Sequence, residues 1–335
     1  MNILLTIDYE LFNGLVGGTV KNCLITPMSK LEEILDRYNI SATVFVDACF
    51  LLSLTRAKNG CKRYEFDREL IVSQLKRLSE KGHSIQLHLH PQWLNPKFYA
   101  GKWHSDLNLY KLTDLPEVDA ISLFLDSCGL IKSITGKSPI AFRAGDYCAQ
   151  TFKPLASVFR IAGISIDSSV LRDKRTVNEH EWFDYIDIPK DYTYRFSDNI
   201  TISDENGDLV EVSIPTYRHN QLDVFFRRNK IAKSKNMIWG DGKSSTGGEL
   251  DKGFVKYINY FKLLFNPIRM SASIDGISAT YLEEIYNYEK DLKSPYMMIM
   301  GHPKTFTPHY LRLFEKFVSK IDQEDEFVTI EKFLV

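Results

Sequence analysis

The stretch Ile85-Gln86-Leu87-His88-Leu89-His90-Pro91-Gln92-Trp93 opens as a strand and closes on two histidines. Successive side chains on a strand alternate faces, so His88 and His90 point the same way. Pro91 has no N–H to give to a ladder and stops the strand. Two imidazoles on one face are half of a metal site. They are equally two histidines on a solvent-facing strand that bind nothing, and the rest of the chain has to decide.

Apolar runs of the same kind lie on either side. Residues 3–7 end at Asp8, 42–46 at Asp47, 139–142 at Arg143-Ala144-Gly145, and 164–166 at Asp167-Ser168-Ser169. Residues 209–214 end at Pro215, and 296–300 at Gly301-His302-Pro303. Continuous apolar runs of this length read as strands buried on both faces. Helical spacing of apolar residues falls between them, over 27–38, 66–81, 117–134, 152–162, 280–288 and 308–321, with a further helix expected over 254–265. Alternating strands and helices predict a parallel α/β sheet, with seven core strands including 84–90. That is one short of an eight-stranded barrel. Residues 94–116 show no clean period and read as a long loop over the end of the third strand. Residues 200–203 and 209–214 flank Asp204-Glu205-Asn206-Gly207-Asp208, a hairpin signal. Residues 327–330 read as a short last strand.

Composition narrows the class. The net charge is −1, which offers no electrostatic footprint for nucleic acid. The 17 tyrosines and 21 phenylalanines suit a large core or a carbohydrate-facing cleft alike. Cys23, Cys49, Cys61, Cys128 and Cys148 are odd in number and never spaced Cys-x-x-Cys, which suggests reduced thiols rather than a disulfide framework. The first residues run directly into a strand without a cleavable apolar segment, and no window of about 18 apolar residues occurs. A cytoplasmic protein is expected.

In parallel barrels the chemistry gathers at the C-terminal ends of the strands. Asp8, Asp47, His88, His90, Arg143, Asp167 and His302 all sit there. Any one of them alone is as well explained as a cap or turn residue; seven at equivalent positions favour a site. Asp8-Tyr9-Glu10 adds a second carboxylate two residues on, facing the same side of an extended segment. His83 precedes the third strand and belongs to the opposite rim, as a surface or loop residue. His104, His180, His219 and His309 receive no role.

Leu5-Thr6-Ile7-Asp8-Tyr9-Glu10, Gly82-His83-Ser84-Ile85-Gln86-Leu87-His88, Phe142-Arg143-Ala144-Gly145, Asp167-Ser168-Ser169 and Gly301-His302-Pro303 follow one another along the chain. This ordered set resembles the five motifs of the polysaccharide deacetylases of carbohydrate esterase family 4, the NodB-homology fold. Each motif is weak alone; the set spans residues 5–303. Two departures stand out. Tyr9 replaces the family's second aspartate, and Glu10 fits an Asp-x-Glu version of the motif. The histidines lie two apart instead of four, position 92 being Gln. The Leu-His-Leu-His-Pro-Gln-Trp form is similar to a branch associated with lipopolysaccharide and surface-polysaccharide biosynthesis.

The resemblance implies a distorted, TIM-barrel-like (β/α) barrel of seven parallel strands in a single domain over 1–335, with an insertion over 217–293 that shapes the cleft. It implies a metal-dependent hydrolase that takes the N-acetyl group from an amino sugar. Glu10, His88 and His90 would hold a divalent metal, zinc first among the candidates. Asp8 would be the general base, oriented by Arg143. His302 would be the general acid, kept charged by Asp167. A backbone N–H of the Asp146–Tyr147 turn would meet the oxyanion. Trp93, Trp103 and Tyr147 would stack on sugar or belong to the core. The basic run Arg227, Arg228, Lys230, Lys233, Lys235 is a solvated loop or meets an anionic sugar. Gly242-Lys243-Ser244 lacks the earlier glycine of a phosphate loop, since position 237 is Met. A sugar-binding protein without turnover, or a hydrolase of another small amide, are the alternatives.

Overall fold

The computed structural model describes residues 1–57, 62–178, 180–232, 237–243 and 267–334. Cys61, Lys233, Lys235, residues 244–248 of the Gly/Ser loop and the helix expected over 254–265 lie outside the described residues.

All seven expected core strands form, and all are parallel. They are β1 (Asn2–Tyr9), β2 (Thr43–Asp47), β3 (Ser84–Leu89), β4 (Ala141–Ala144), β5 (Ile166–Asp167), β6 (Leu209–Val212) and β7 (Tyr296–Gly301). Their order in the sheet is β6-β5-β4-β3-β2-β1-β7, so each strand lies beside its predecessor until β7 returns to β1. The sheet curls until its ends approach: the Tyr296 hydroxyl on β7 reaches the Ser213 carbonyl just past β6, at 2.6 Å.

Both faces of the sheet are buried, which is why the strands read as unbroken apolar runs. Leu4, Phe45, Ala141, Ile166, Val212, Tyr296 and Met298 point inward and fill the curl. Ile3, Leu5, Ile7, Val44, Leu87, Phe142 and Ile299 point outward against the helices. Those helices are α1 (Thr26–Tyr38), α2 (Ala48–Arg56), α3 (Lys62–Glu80), α4 (Glu117–Thr135), α5 (Lys153–Ala162), α6 (Gln221–Ala232), α7 (Leu282–Asp291) and α8 (Pro308–Val318). The sequence reading missed α2. It is buried almost all round, from Ala48 to Leu52 and again at Leu54, so it has no polar face to set a period.

Other expectations need correction. The antiparallel partner of β6 is Thr193–Phe196 and not residues 200–203. Ile200 is drawn into the core, and its carbonyl accepts the Tyr194 hydroxyl at 2.5 Å. The last strand is shorter than expected: Glu326–Phe327 pairs with the start of β1, and Ile330–Phe333 is helical. Within the long loop, Lys97–Tyr99 and Lys102–His104 pair as a hairpin, to which Val16–Gly18 adds. His83 is buried and not on the surface; its Nδ1 accepts the Ala42 N–H at 3.1 Å and ties the bottom of the sheet.

In the expected insertion, Thr216–His219 pairs antiparallel with Ile268–Ser271. Asp241 accepts hydrogen bonds from the Thr19 N–H (2.8 Å) and Asn22 Nδ2 (3.0 Å), which pins residues 237–243 to the loop that follows β1. No helix among the described residues is long and apolar enough to cross a membrane. Cys23, Cys49, Cys128 and Cys148 are buried free thiols.

Candidate active site

The C-terminal rim of the sheet brings six expected residues together. β1 delivers Asp8 and Glu10, β3 and its extension deliver His88 and His90, β4 delivers Arg143, and His302 follows β7. Register makes the cluster: Asp47, His88 and Arg143 lie side by side on β2, β3 and β4.

Glu10 and the two histidines converge. Glu10 Oε2 lies 2.5 Å from His90 Nε2 and 3.4 Å from His88 Nε2. All three atoms are buried, and outside this cluster none has a hydrogen-bond partner. One carboxylate oxygen and two imidazole nitrogens within 4.8 Å of one another form the donor set of a three-ligand metal centre with open positions. His88 is set for that task, because its Nδ1 donates to the Arg143 carbonyl at 2.7 Å and leaves the Nε2 lone pair facing the cluster. The two rings stand 4.7 Å apart and nearly perpendicular.

Two residues that the sequence reading passed over complete this half. Lys304, buried, donates to Glu10 Oε1 at 2.8 Å and to the Leu11 carbonyl at 3.0 Å. That leaves Oε2 as the oxygen turned toward the histidines. Burial alone would raise the Glu10 carboxyl; Lys304 and His90 override it and hold it well below the usual range. Burial would likewise lower His90, but Glu10 outweighs it and lifts the imidazole to about 9. Gln92 places Nε2 2.9 Å from His90 Nδ1 and leaves its Oε1 buried without a partner. Turning this amide over sets Oε1 against an Nδ1–H and frees the His90 Nε2 lone pair.

The other half is built on Asp8 and His302. Arg143, fully buried, donates to Asp8 Oδ1 at 2.7 Å and to Ser168 through Nε and Nη2, and its guanidinium lies 4.3 Å from the centre of the Phe45 ring. Burial would raise Asp8, but the Arg143 charge, aided by His302, holds it ionised far below the usual carboxylate range. Asp8 Oδ2 faces His302 Nε2 at 3.4 Å. On the other side of the ring, His302 Nδ1 donates to Asp275 Oδ2 at 2.5 Å, and Asp275 Oδ1 accepts the His302 N–H at 3.0 Å. Burial would lower His302; Asp275 and Asp8 raise it to about 10.

Asp275 therefore takes the place that the sequence reading gave to Asp167. Asp167 accepts from the Ser169 N–H (2.8 Å) and hydroxyl (3.0 Å) and shares a hydrogen bond with Glu211 inside the sheet. Burial raises both carboxyls, so the pair is held up together and shares a proton. Asp47 caps α2 at the Cys49 N–H and accepts the His90 N–H at 3.3 Å.

The Gly145–Tyr147 turn passes directly over His90. A Cβ on Gly145 would lie 2.7 Å from His90 Nδ1 and 2.8 Å from the Leu89 carbonyl oxygen, so only glycine fits. Asp146 and Tyr147 both take left-handed conformations, at φ 48° and 61°. Asp146 Oδ1 accepts from Asn13 at 2.5 Å and Oδ2 from the Tyr110 hydroxyl at 2.6 Å. Tyr147 is half-buried and lines a cavity next to His302. Trp93 and Trp103 are fully buried and pack edge-on against Phe50. Trp93 also presses on Gly17, so neither indole is a platform for a sugar ring.

No family model matches the sequence, and no curated protein matches it. The architecture is that of the polysaccharide deacetylase fold. A protein from Mycobacterium smegmatis assigned as a polysaccharide deacetylase superposes with a TM-score of 0.54 at 11% identity, over 99% of this chain and 87% of its own. Puue allantoinase superposes with a TM-score of 0.50, also at 11% identity, over 99% of this chain and 88% of its own.

Proposed function

We propose that this protein is a metal-dependent hydrolase that removes an N-acetyl group from an amino sugar or sugar precursor in surface-polysaccharide metabolism. The observation that carries the reading is the set of three buried atoms of Glu10, His88 and His90 that face one another, without a hydrogen-bond partner outside their own cluster, beside the Asp8–His302 pair. A divalent ion held there, zinc by the donor set, would supply Lewis acidity and lower the pKa of water. Asp8 Oδ2 stands ionised to take the proton of the attacking water. His302 Nε2–H stands ready to give a proton to the amine nitrogen as the C–N bond breaks, while Asp275 holds the ring charged and oriented. Amides of the Gly145–Tyr147 turn would receive the negative charge that develops on the carbonyl oxygen. Acetate and a free amine leave. The chain would work as one domain over 1–335, with 217–293 as a wall of the cleft, on a cytoplasmic, small or carrier-linked precursor.

A second reading, hydrolysis of another small amide, is supported by the likeness to an allantoinase, which is nearly as close as that to the deacetylase-like protein. Both are tested together. Metal content of the purified protein and of His88→Ala is measured, release of acetate or formate is followed over N-acetyl and formamido sugars, and ring opening to a ureido acid is followed over cyclic ureides. Acetate from an N-acetyl sugar, lost with the metal in His88→Ala, is the expected result. Metal content indifferent to His88→Ala would sink the reading; ureido acid from cyclic ureides alone would transfer it to the second.

A further inference from the structure

A cavity of about 300 Å³ opens beside the acid–base pair, and His302, Asp275, Tyr147, Lys174 and Arg269 are among the residues that line it. Its volume is at the lower end for small-ligand sites. Lys174 and Arg269 give its wall two cations. Arg269 Nη1 lies 2.9 Å from Asp173 Oδ2 and 3.4 Å from Thr216. Lys174 is half-buried, and among the described residues its ammonium has no hydrogen bond or ion pair. Burial first and the Arg269 charge second both depress Lys174. Asp173 is already spent on Arg269, so the Lys174 charge has no anion of its own among the described residues. Asp275 and His302, also in the lining, compensate each other at 2.5 Å. The excess is local, since the whole chain carries a net charge of −1. A partly desolvated ammonium without a partner, pressed by a second cation, is costly unless an anion joins it.

We propose that this cavity is a subsite for an anionic group, phosphate or carboxylate, carried by the sugar whose amide lies at Glu10, His88 and His90. This rests on the amino-sugar reading for its substrate but not for its anion. A ligand with its amide at the site and its body extending past His302 enters the cavity whose lining includes Lys174 and Arg269. Neutral N-acetyl sugars leave the wall uncompensated and bind less well.

The test separates the two readings. Glucose 1-phosphate, which has no amide, is titrated calorimetrically into the wild type, Lys174→Gln and Lys174→Glu. Lys174 gives up no partner among the described residues on substitution, so both variants are expected to fold; Arg269→Gln is added as a second probe of the wall. Acetate release is measured in parallel from N-acetylglucosamine, its 1-phosphate and N-acetylmuramic acid, the last two separating phosphate from carboxylate. The expected result is that Lys174→Gln weakens glucose 1-phosphate binding about 10-fold and Lys174→Glu further, as loss of a charge-assisted contact requires. The wild-type preference for an anionic over the neutral sugar falls by a similar factor, through KM. Probe binding that depends on Lys174 with no acetate from any sugar would uphold the subsite and sink the deacetylase reading. Acetate release with probe binding and sugar preference untouched in all three variants would overturn the subsite and leave the deacetylase reading in place.

Discussion

Asp275→Asn is the most direct test of the acid–base pair. Asn keeps the size of the side chain and can still engage His302 Nδ1, but removes the charge that lies 2.5 Å from the ring. His302 stands at about 10 against an ordinary 6.5, burial pulling down and Asp275 pulling up more strongly. Were the variant to return to 6.5, the protonated fraction at pH 8 would fall from about 99% to about 3%, a loss of roughly 30-fold in the acid form. Near pH 5.5 the imidazole is protonated in both proteins, and their rates converge. The assay is kcat/KM for amide release between pH 5.5 and 10. The wild type should hold a plateau into the alkaline range because His302 keeps its proton up to about 10 while Asp8 is ionised throughout, whereas the alkaline limb of Asp275→Asn moves toward neutrality. Stability follows the same sign. A histidine raised on folding contributes stability that is complete below about 6.5 and is lost as pH rises through about 10. Urea unfolding of the wild type should therefore lose stability relative to the variant across that window. Asp167→Asn, removed from His302, should leave the limb in place. An unmoved limb in Asp275→Asn, or a moved one in Asp167→Asn, would refute the assignment.

Three further outcomes follow from the same geometry. Gln92→Leu should weaken metal affinity about 10- to 100-fold by leaving His90 Nδ1 unsupported, while Gln92→Glu, which can only accept there when ionised, should retain it; chelator competition decides, and a Leu variant that holds metal as tightly as the wild type refutes the role. Gly145→Ala puts a Cβ 2.7 Å from His90 Nδ1 and should cost about 1–3 kcal/mol and most of the turnover, whereas Gly129→Ala in α4, where a Cβ meets nothing within 4 Å, should gain about 0.5–1 kcal/mol in thermal unfolding. Trp93→Phe should lower the melting temperature with KM unchanged, since Trp93 is fully buried; a KM effect without loss of stability would return it to the substrate cleft.

The strands and their polar ends were readable because the sheet is covered on both faces. Each run stays apolar until it leaves the core, and the residue that breaks it marks the rim. The i, i+2 alternation that brought His88 and His90 together is a local rule, and it held because both flank one strand end. Asp275 lay beyond any such rule. It follows no strand of its own kind. Its place is set by pairing of Ser273 with Met300 and by the Ile274 N–H bonded to the Met300 carbonyl, contacts that no local period announces. Asp167 was misassigned for the converse reason. Its strand-end position is correct, but the side chain bonds Glu211, a carboxyl on the neighbouring strand in register with it.

Lys304 could have been found, and the way it was missed explains the site. Asp8-x-Glu10, His88-x-His90 and His302-x-Lys304 are three strand-end pairs of the same spacing. β1 and β7 are neighbours with Ile7 beside Gly301, so continuing the register by one sets Asp8 beside His302, and by three sets Glu10 beside Lys304. Both meetings occur, at 3.4 Å and 2.8 Å. Asp8 and His302 make the proposed acid–base couple, and Lys304 settles which oxygen of Glu10 is spent. With Oε1 held by an ammonium, Glu10 keeps its charge in a buried setting without its two oxygens competing for the histidines. One lysine thus lets an Asp-x-Glu strand end present a single carboxylate oxygen where an adjacent pair of aspartates would present its own.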